Sequence, residues 1–196
     1  LDLSSAMQDR LYLNDSRIQD MANAIRQIAS QTEPVGRVLD GWLTKDNLNI
    51  QKVSIPIGVI GIIYESRPNV TSDTAALCFK SGNVCVLKGG KEAENSNKAI
   101  AKIIQDVLEK NNLPKEIVSL LPDSSREGVA KLIVEDKYVD LIVPRGGESL
   151  IKFITQNSSI PVIKHDKGVC HTFIDKDANA TKSINIVVNA KCQRPS

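Results

Sequence analysis

From Gly58 to the C-terminal end, short and almost entirely apolar segments alternate with longer amphipathic ones. Apolar runs of about five residues are typical of strands buried on both faces, and amphipathic runs are typical of helices. The predicted strands span residues 58–65, 84–88, 117–121, 140–144, 161–164 and 171–175. The predicted helices span residues 70–81, 93–111, 125–134, 148–156 and 178–192. This alternation predicts an α/β fold with a doubly wound, mostly parallel, Rossmann-like sheet.

The segment before Gly58 has a different pattern. Apolar residues recur at helical spacing after Asn14 or Ser16, either of which is a suitable N-cap, and predict a helix that ends near Ser30. Residues 33–56 carry isolated apolar residues separated by glycines and a turn, which predicts an extended hairpin arm that lies against another part of the protein or another subunit. The predicted divisions are an N-terminal helical part (1–32), the arm (33–56) and a main domain (57–196).

Three of the predicted strands end in unusual polar sequences. Ligands of doubly wound sheets bind at the carboxyl ends of strands, so the residues after Glu65, Lys88 and Pro144 are candidates for a binding site. The ammonium groups of Lys88 and Lys91 suit a phosphate, and the pair Gly89 and Gly90 lets a ligand approach the backbone. The alternative for this segment is a tight turn with solvated charges.

A second glycine pair follows the strand that ends at Pro144. Arg145, Gly146 and Gly147 lead directly into a predicted helix, whose backbone N–H groups offer a place for a cofactor phosphate. A plain tight turn explains this segment equally well when it is considered alone. The chain lacks a Gly-x-Gly-x-x-Gly dinucleotide fingerprint, so any nucleotide must be held in another way.

Two other segments carry side chains of chemical interest. Pro68 suits the first turn of a helix, and the neighbouring amide of Asn69 either points into a cleft or caps that helix. Cys170 and His171 form a weak candidate for a nucleophile pair, because adjacent residues of a predicted strand point to opposite faces.

Composition excludes several classes of function. The chain has 25 basic and 23 acidic residues, a net charge of only +2 and 4% aromatic residues. Nucleic-acid-binding surfaces usually show a strong basic excess and aromatic residues for stacking, so nucleic acid is not an expected partner. The longest apolar run, residues 55–64, is far shorter than the about 20 residues that cross a bilayer, so no membrane contact is expected.

The cysteines and the N-terminus indicate where the protein resides. The four cysteines lack metal-type spacing, which predicts no metal site and favours reduced thiols in the cytoplasm. Three of the four lie in apolar patterns that predict burial. The chain begins with neither a methionine nor a signal peptide, so we expect this end to be a cut one.

Five segments together resemble the gamma-glutamyl phosphate reductases, or glutamate-5-semialdehyde dehydrogenases, of the aldehyde dehydrogenase superfamily. They are residues 54–71, 80–83, 87–90, 144–147 and 189–196. The strings Tyr-Glu-x-Arg-Pro-Asn-Val-Thr and Asn-Ala-Lys-x-Gln-Arg-Pro-Ser separate this family from other aldehyde dehydrogenases, and the likeness covers essentially the whole chain. It implies an aldehyde dehydrogenase type of sheet and an NADP-binding domain at residues 57–196.

The resemblance also implies a role for each matching residue of the cofactor site. Lys88 matches a lysine at the adenosine ribose. Lys91 stands where NAD-using relatives often carry a glutamate, and its ammonium group would attract the 2′-phosphate of NADP(H). Gly146 and Gly147 match the start of a helix beside the nicotinamide and the pyrophosphate. Gly89, Gly90 and Arg145 complete the cofactor-binding set.

Three residues are matched to the substrate side of the reaction. Asn69 resembles the amide that stabilises the oxyanion of a thioester. Arg67 and Arg194 are expected to pair with the phosphate or the carboxylates of the substrate, because a guanidinium group fits either anion. In hydrolytic relatives a glutamate activates water. Here His165 or a neighbour stands in that place, as expected for a reductase.

The resemblance implies an activity and several partners. The family reduces L-glutamyl 5-phosphate with NADPH to L-glutamate 5-semialdehyde and phosphate through a cysteine thioester, the second step of proline biosynthesis. The nucleophilic cysteine is expected two residues beyond Ser196, so Cys192 is not taken for it, and this piece is expected to be inactive. A homo-oligomer, dimer or tetramer, and a glutamate kinase partner are expected. The alternatives are a noncatalytic NADP-binding module and the reductase half of a bifunctional pyrroline-5-carboxylate synthase.

Overall fold

The structure is a computed structural model that describes residues 5–165 and 170–192. The chain divides into two compact units, Leu1–His165 and Asp166–Ser196. The sheets lie in the first unit, and helix α7, Ala180–Cys192, lies in the second. The divisions predicted at residues 32 and 56 remain predictions. In the described part of the chain, no helix is both long and apolar enough to cross a membrane.

A four-stranded parallel sheet forms the centre of the first unit. Its strands are β3 (Val59–Tyr64), β4 (Val84–Lys88), β5 (Val118–Leu120) and β6 (Leu141–Arg145), in the order β5-β4-β3-β6. The predicted parallel sheet is therefore confirmed. The prediction at 161–164 was too long, because only an isolated bridge from Val162 to Ile142 forms there. The strand predicted at 171–175 was wrong, since those residues have no ladder partner and are exposed.

Helices follow the strands as the periodicity predicts. They are α3 (Pro68–Lys80), α4 (Glu94–Lys110), α5 (Arg126–Leu132) and α6 (Glu148–Asn157), with 3-10 turns at Lys91–Ala93 and Lys115–Ile117. The bounds reflect local chemistry. Pro68 occupies the first turn of α3, and the hydroxyl of Ser125 caps α5 by accepting a hydrogen bond from the Gly128 N–H at 3.2 Å.

The core has one apolar cluster on each face of the sheet. Ile62 of β3 packs in one cluster with Cys78 of α3 and Leu108 of α4. Ile63, its neighbour in sequence, packs in the other with Ile154 of α6. Successive residues of a strand point to opposite faces, so one buried strand serves both clusters. This arrangement confirms the doubly wound fold class.

Helix α4 buries only part of the predicted apolar face. That face comprises Ile100, Ile103, Ile104, Val107 and Leu108. Leu108 is buried and Ile104 packs against the core, as predicted, but Ile103 and Val107 are 65% and 52% exposed. The buried stripe also contains Asn97 and Ala101. A polar residue at position 97 therefore enters the core, where its side chain accepts a hydrogen bond from Thr71.

The N-terminal region contains one predicted and one unpredicted helix. Helix α2, Asp15–Ser30, agrees with the prediction, and the side chain of Asn14 caps it by accepting from the Arg17 N–H at 2.9 Å. The preceding helix α1, Ser5–Leu11, was missed. It has only seven residues, too few to establish a helical repeat of apolar positions.

Residues 38–53 form the predicted hairpin. Strand β1, Val38–Leu43, pairs antiparallel with β2, Asn49–Val53, and Asn47 in the connecting turn has a φ of 60°, which asparagine tolerates better than most residues. All residues of both strands are exposed in this chain. Beyond the hairpin, the side chain of Asn83 accepts hydrogen bonds from the N–H groups of Ile57 and Gly58 at 2.7 and 2.9 Å, which fixes the start of the sheet.

Two of the four cysteines are buried. Cys78 and Cys85 lie in the core, whereas Cys170 and Cys192 are exposed. The prediction of three buried cysteines was therefore wrong by one. The hydrogen bond with Cys78 and burial together raise the pKa of the Cys85 thiol, so this group stays protonated and acts in packing.

Candidate functional site

The carboxyl ends of β3, β4 and β6 lie side by side. Strand β3 is between the other two, with Ile63 opposite Lys88 and Tyr64 opposite Arg145. The three polar segments that the sequence singled out are consequently neighbours at one edge of the sheet. An open cleft of about 580 Å³ lies there. Its lining consists of Met7, Arg10, Glu65, Ser66, Arg67, Glu92, Pro144, Arg145, Gly146, Gly147, Ile151 and His165.

The cleft contains some of the predicted site residues and not others. Arg67, Arg145 and the pair Gly146–Gly147 line it, together with His165. The remaining described residues of the prediction do not line it, and they are Asn69, Lys88, Gly89, Gly90 and Lys91. Arg194 lies outside the described residues.

A carboxylate occupies the start of helix α6. The N–H of Gly147 donates a hydrogen bond to Oε2 of Glu65 at 2.9 Å, so this N–H is not free as the sequence suggested. The backbone of Glu65 continues the pairing of β3 with β6, because its N–H donates to the Arg145 carbonyl at 3.3 Å. A Cβ added to Gly146 would lie only 2.8 Å from the carboxyl carbon of Glu65. Glycine at position 146 therefore admits an anion to a helix N-terminus, where the helix dipole favours it.

Lys88 is buried and already has a partner. Its ammonium group donates to the carbonyl of Ser124 at 2.9 Å, and the side chain is 8% exposed. Burial lowers the pKa of Lys88, while the carboxylates of Asp123, Glu92 and Glu65 oppose that change. The charge of Lys88 is therefore partly balanced within the protein.

The glycine after Lys88 packs against a buried polar network. The hydroxyl of Tyr64 donates to Oγ1 of Thr71 at 2.7 Å, and Thr71 donates to Oδ1 of Asn97 at 3.0 Å. These three side chains are buried, and burial raises the pKa of Tyr64 to about 12. A Cβ on Gly89 would overlap the amide nitrogen of Asn97. Glycine is required at position 89 for packing, whatever ligand the edge holds.

Charges of both signs follow this glycine. Lys91 starts a 3-10 turn and is exposed, whereas the next residue, Glu92, lines the cleft. A Cβ on Gly90 would lie 2.6 Å from Oε2 of Glu92 and 3.4 Å from the N–H nitrogen of Ser66. The carboxylate of Glu92 therefore approaches the turn backbone closely.

The amide of Asn69 lies on the first turn of α3. Asn69 is the second residue of the helix, and Arg67 is the N-cap, so Asn69 does not cap this helix. Its side chain is exposed, and its Nδ2 donates to Oδ2 of Asp73 at 3.1 Å. The alternative in which Asn69 serves only as a cap is therefore wrong.

The sequence reasoning missed three polar residues at this edge. Glu65 was treated only as the end of a strand. Its carboxylate stands at the same predicted edge of the sheet as the glycine pair Gly146–Gly147, and that combination is the signal that could have identified it. Thr71 and Asn97 lie within predicted helices and were not singled out as site residues. The position of Asn97, four residues before Ala101 on the buried stripe, is the signal that could have identified it.

Comparison with known proteins identifies similar chains. A model of the aldehyde dehydrogenase family matches residues 9–194. A gamma-glutamyl phosphate reductase of Aliarcobacter butzleri is 79% identical over 100% of this chain and 47% of its own length. One from Sulfurovum is 68% identical over 99% of this chain and 47% of its own length. The chain thus spans about half the length of the curated relatives it matches.

Solved structures give the same result. The gamma-glutamyl phosphate reductase of Thermotoga maritima has a TM-score of 0.90 and 43% identity, over 98% of this chain and 47% of that one. The enzyme of Saccharomyces cerevisiae has a TM-score of 0.75 and 34% identity, over 100% of this chain and 50% of that one. These likenesses agree with the parallel sheet described above.

Proposed function

The chain belongs to the aldehyde dehydrogenase family, and we propose that it is the cofactor-binding part of a gamma-glutamyl phosphate reductase. Relatives with that name match it over nearly its whole length. The observation that carries the proposal is that three polar strand ends lie side by side at one edge of the sheet, next to an open cleft, the position at which doubly wound sheets bind ligands.

The proposed reaction is the reduction of L-glutamyl 5-phosphate to L-glutamate 5-semialdehyde. A cysteine thiol of the complete protein attacks the acyl phosphate, forming a thioester and releasing phosphate. Hydride transfer to the thioester carbon then gives the aldehyde and returns the thiolate. The reduced nicotinamide of NADPH supplies the hydride when it is bound. We place this enzyme in the cytoplasm, as a homo-oligomer that acts in proline biosynthesis.

The residues at the cleft fit a dinucleotide. The backbone N–H of Gly147 already holds one anionic oxygen, and Gly146 lacks the Cβ that would block an approaching group. Arg145 and Arg67 supply positive charge on the cleft lining. In the proposed roles, Gly146, Gly147 and Arg145 hold the diphosphate, Lys88 with Gly89 and Gly90 contacts the adenosine ribose, and Arg67 with Arg194 binds substrate anions.

Asn69 is proposed to stabilise charge on the thioester oxygen. An amide N–H in that position donates a hydrogen bond that strengthens as negative charge builds on the oxygen. His165 lines the cleft, and an imidazole there in place of a water-activating carboxylate suits a reductase, which must protect its thioester from hydrolysis.

The preference for NADP(H) is assigned to Lys91. Its exposed ammonium group would attract a 2′-phosphate, whereas the cleft-lining Glu92 would repel one, so the two neighbours oppose each other. In the complete enzyme, Lys91→Glu should weaken NADPH much more than NADH, measured as kcat/KM for each. Lys98→Glu, a change on the exposed part of α4, is the control. Equal losses for the two cofactors would exclude Lys91 from this role.

The activity itself is tested with protein expressed from the complete gene. We expect reduction of NADP⁺ by glutamate semialdehyde that depends on inorganic phosphate, because phosphate must release the thioester in the reverse direction. The 196-residue chain should bind NADPH in a fluorescence titration without turnover. Oxidation at the same rate without phosphate would indicate a hydrolytic enzyme, and NADPH binding without any turnover by the complete protein would indicate a binding module.

A further inference from the structure

Asp73 holds the amide that the proposed function places at the reacting oxygen. Oδ2 of Asp73 accepts a hydrogen bond from Nδ2 of Asn69 at 3.1 Å, one helical turn away on α3. Within the described residues, 5–165 and 170–192, the Asn69 side chain makes no other hydrogen bond. Because Asn69 is exposed, packing alone does not fix its orientation.

The chemistry of a carboxylate makes this contact directional. An ionised carboxylate only accepts hydrogen bonds, so it binds the NH₂ end of the Asn69 amide and not the oxygen end. One N–H of Asn69 then points at Asp73, and the second points away from it. That second N–H remains available as a donor to a substrate oxygen. Without Asp73, the two ends of the amide could exchange places.

Asp73 is itself held in place. Its side chain is half-buried on α3, and the hydroxyl of Ser72 lies 3.5 Å from Oδ1. The Ser72 side chain is 2% exposed, and its hydroxyl donates to the Asn69 carbonyl at 2.9 Å. This hydrogen bond and the one to Asp73 hold the backbone and the side chain of Asn69 within one turn of α3.

The ionised form of Asp73 is unfavourable at this position. Burial raises the pKa of Asp73, and the hydrogen bonds from Asn69 and Ser72 lower it only in part. None of the ion pairs among the described residues includes Asp73. A half-buried carboxylate without a cation destabilises the fold at neutral pH, so its stability contribution does not explain its presence.

From this geometry we infer that Asp73 is a positioning residue of the proposed reductase, which fixes the Asn69 amide with one N–H directed at the reacting carbonyl oxygen. The inference rests on the proposed function. Asp73 acts through Asn69 and makes no contact with substrate. Its loss should therefore lower kcat and leave KM for semialdehyde, phosphate and NADP⁺ unchanged.

The kinetic test is a double-mutant cycle in protein expressed from the complete gene. Asn69→Ala should lower kcat about 100-fold, as expected for an oxyanion donor. Asp73→Leu should lower kcat about 10-fold, the effect of one charge-assisted hydrogen bond. In the Asn69→Ala background, Asp73→Leu should have no further effect. Equal tenfold losses in both backgrounds, a change in KM alone, or an unchanged kcat would overturn the inference.

Two further variants separate positioning from general structural damage. Asp73→Asn keeps an acceptor but adds donors, so it should restore part of kcat while raising the melting temperature at pH 7, because the unfavourable charge is gone. Asp106→Leu is the matched control, since Asp106 also accepts from the residue four positions earlier, Lys102, at 2.6 Å on the solvent side of α4. It should leave kcat unchanged.

A measurement that does not depend on turnover distinguishes this inference from the proposed function. In protein labelled with ¹⁵N-asparagine, the two side-chain protons of Asn69, assigned with Asn69→Ala, should differ widely in chemical shift. They should converge in Asp73→Leu. A wide separation in a wild-type protein that proves inactive would disprove the reductase function and leave the positioning contact intact, whereas convergence in the wild type would disprove the contact. Unchanged resonances in Asp73→Leu would disprove the contact, whatever the activity.

Discussion

The two glycine pairs at the sheet edge look alike in sequence and differ in what they accommodate. The pair after β4 lies over a buried network, where Gly89 leaves room for the amide of Asn97. The pair after β6 lies at an open cleft, where Gly146 leaves room for the carboxylate of Glu65. The same dipeptide thus serves internal packing in one place and access of an anion in the other. A glycine pair after a strand indicates close approach, but not what approaches.

The largest effect is expected at the buried pair. Gly89→Ala places a methyl group against Asn97 and the ring of Tyr64, neither of which can move without disturbing the core. We expect a loss of about 3 kcal/mol in the free energy of unfolding, measured by urea denaturation. If Gly89→Ala lowered the free energy of unfolding by less than Gly146→Ala does, the conclusion that the first glycine pair is the more tightly packed one would be wrong.

The network beneath Gly89 should also appear in the pH dependence of stability. The pKa of Tyr64 is raised from 10.0 to about 12 by burial, so the folded protein resists losing this proton. The stability contribution is complete below pH 10 and is lost as the pH rises through about 12, by about 3 kcal/mol. The difference in unfolding free energy between wild type and Tyr64→Phe should change over that range, and a constant difference would contradict it.

The pair at the cleft should tolerate substitution better. Gly146→Ala meets the Glu65 carboxyl group and the end of Leu150, and both are side chains that can move. We expect a loss of about 1 kcal/mol, measured under the same denaturing conditions. Gly147→Ala is the matched control, because its Cβ would come no closer than 3.9 Å to Glu65, and its effect should stay within about 0.5 kcal/mol.

The smallest effect concerns the anion at the cleft. Glu65→Gln removes a negative charge from the start of α6, where the proposed cofactor would bring its own, and should tighten NADPH binding about threefold. Fluorescence titration at low salt measures this change, and higher salt should reduce it. Weaker binding would mean that Glu65 assists the cofactor and does not compete with it.

Much of the fold could be predicted because its signals are local. The apolar run at Val59–Tyr64 predicts a buried strand, and the N-cap at Asn14 predicts the start of α2. The segment 171–175 shows the limit, because the run from Thr172 to Ile174 reads as a strand and yet finds no neighbour to pair with. A strand depends on its partner, which sequence periodicity alone does not supply.

The sequence predicted which residues lie near the site better than it predicted the hydrogen bonds that they make. Strand ends located Arg67, Arg145 and the second glycine pair at one cleft. The partner of Lys88 was not predictable, because Ser124 lies 36 residues away and contributes only its backbone carbonyl. Hydrogen bonds over such separations follow from the completed sheet, and no local pattern encodes them.

The position of β3 between β4 and β6 has a consequence for folding on the ribosome. Its partner on one side, β4, is synthesised almost immediately, whereas the register of Ile60 with Leu141 requires most of the first unit. At roughly 5–20 residues per second, the 82 residues from Glu65 to Gly147 take roughly 4–16 seconds to translate. During that interval one edge of an apolar strand is unpaired, and such edges attract other chains. Nascent chains stalled before β6 should therefore be the form most dependent on chaperones.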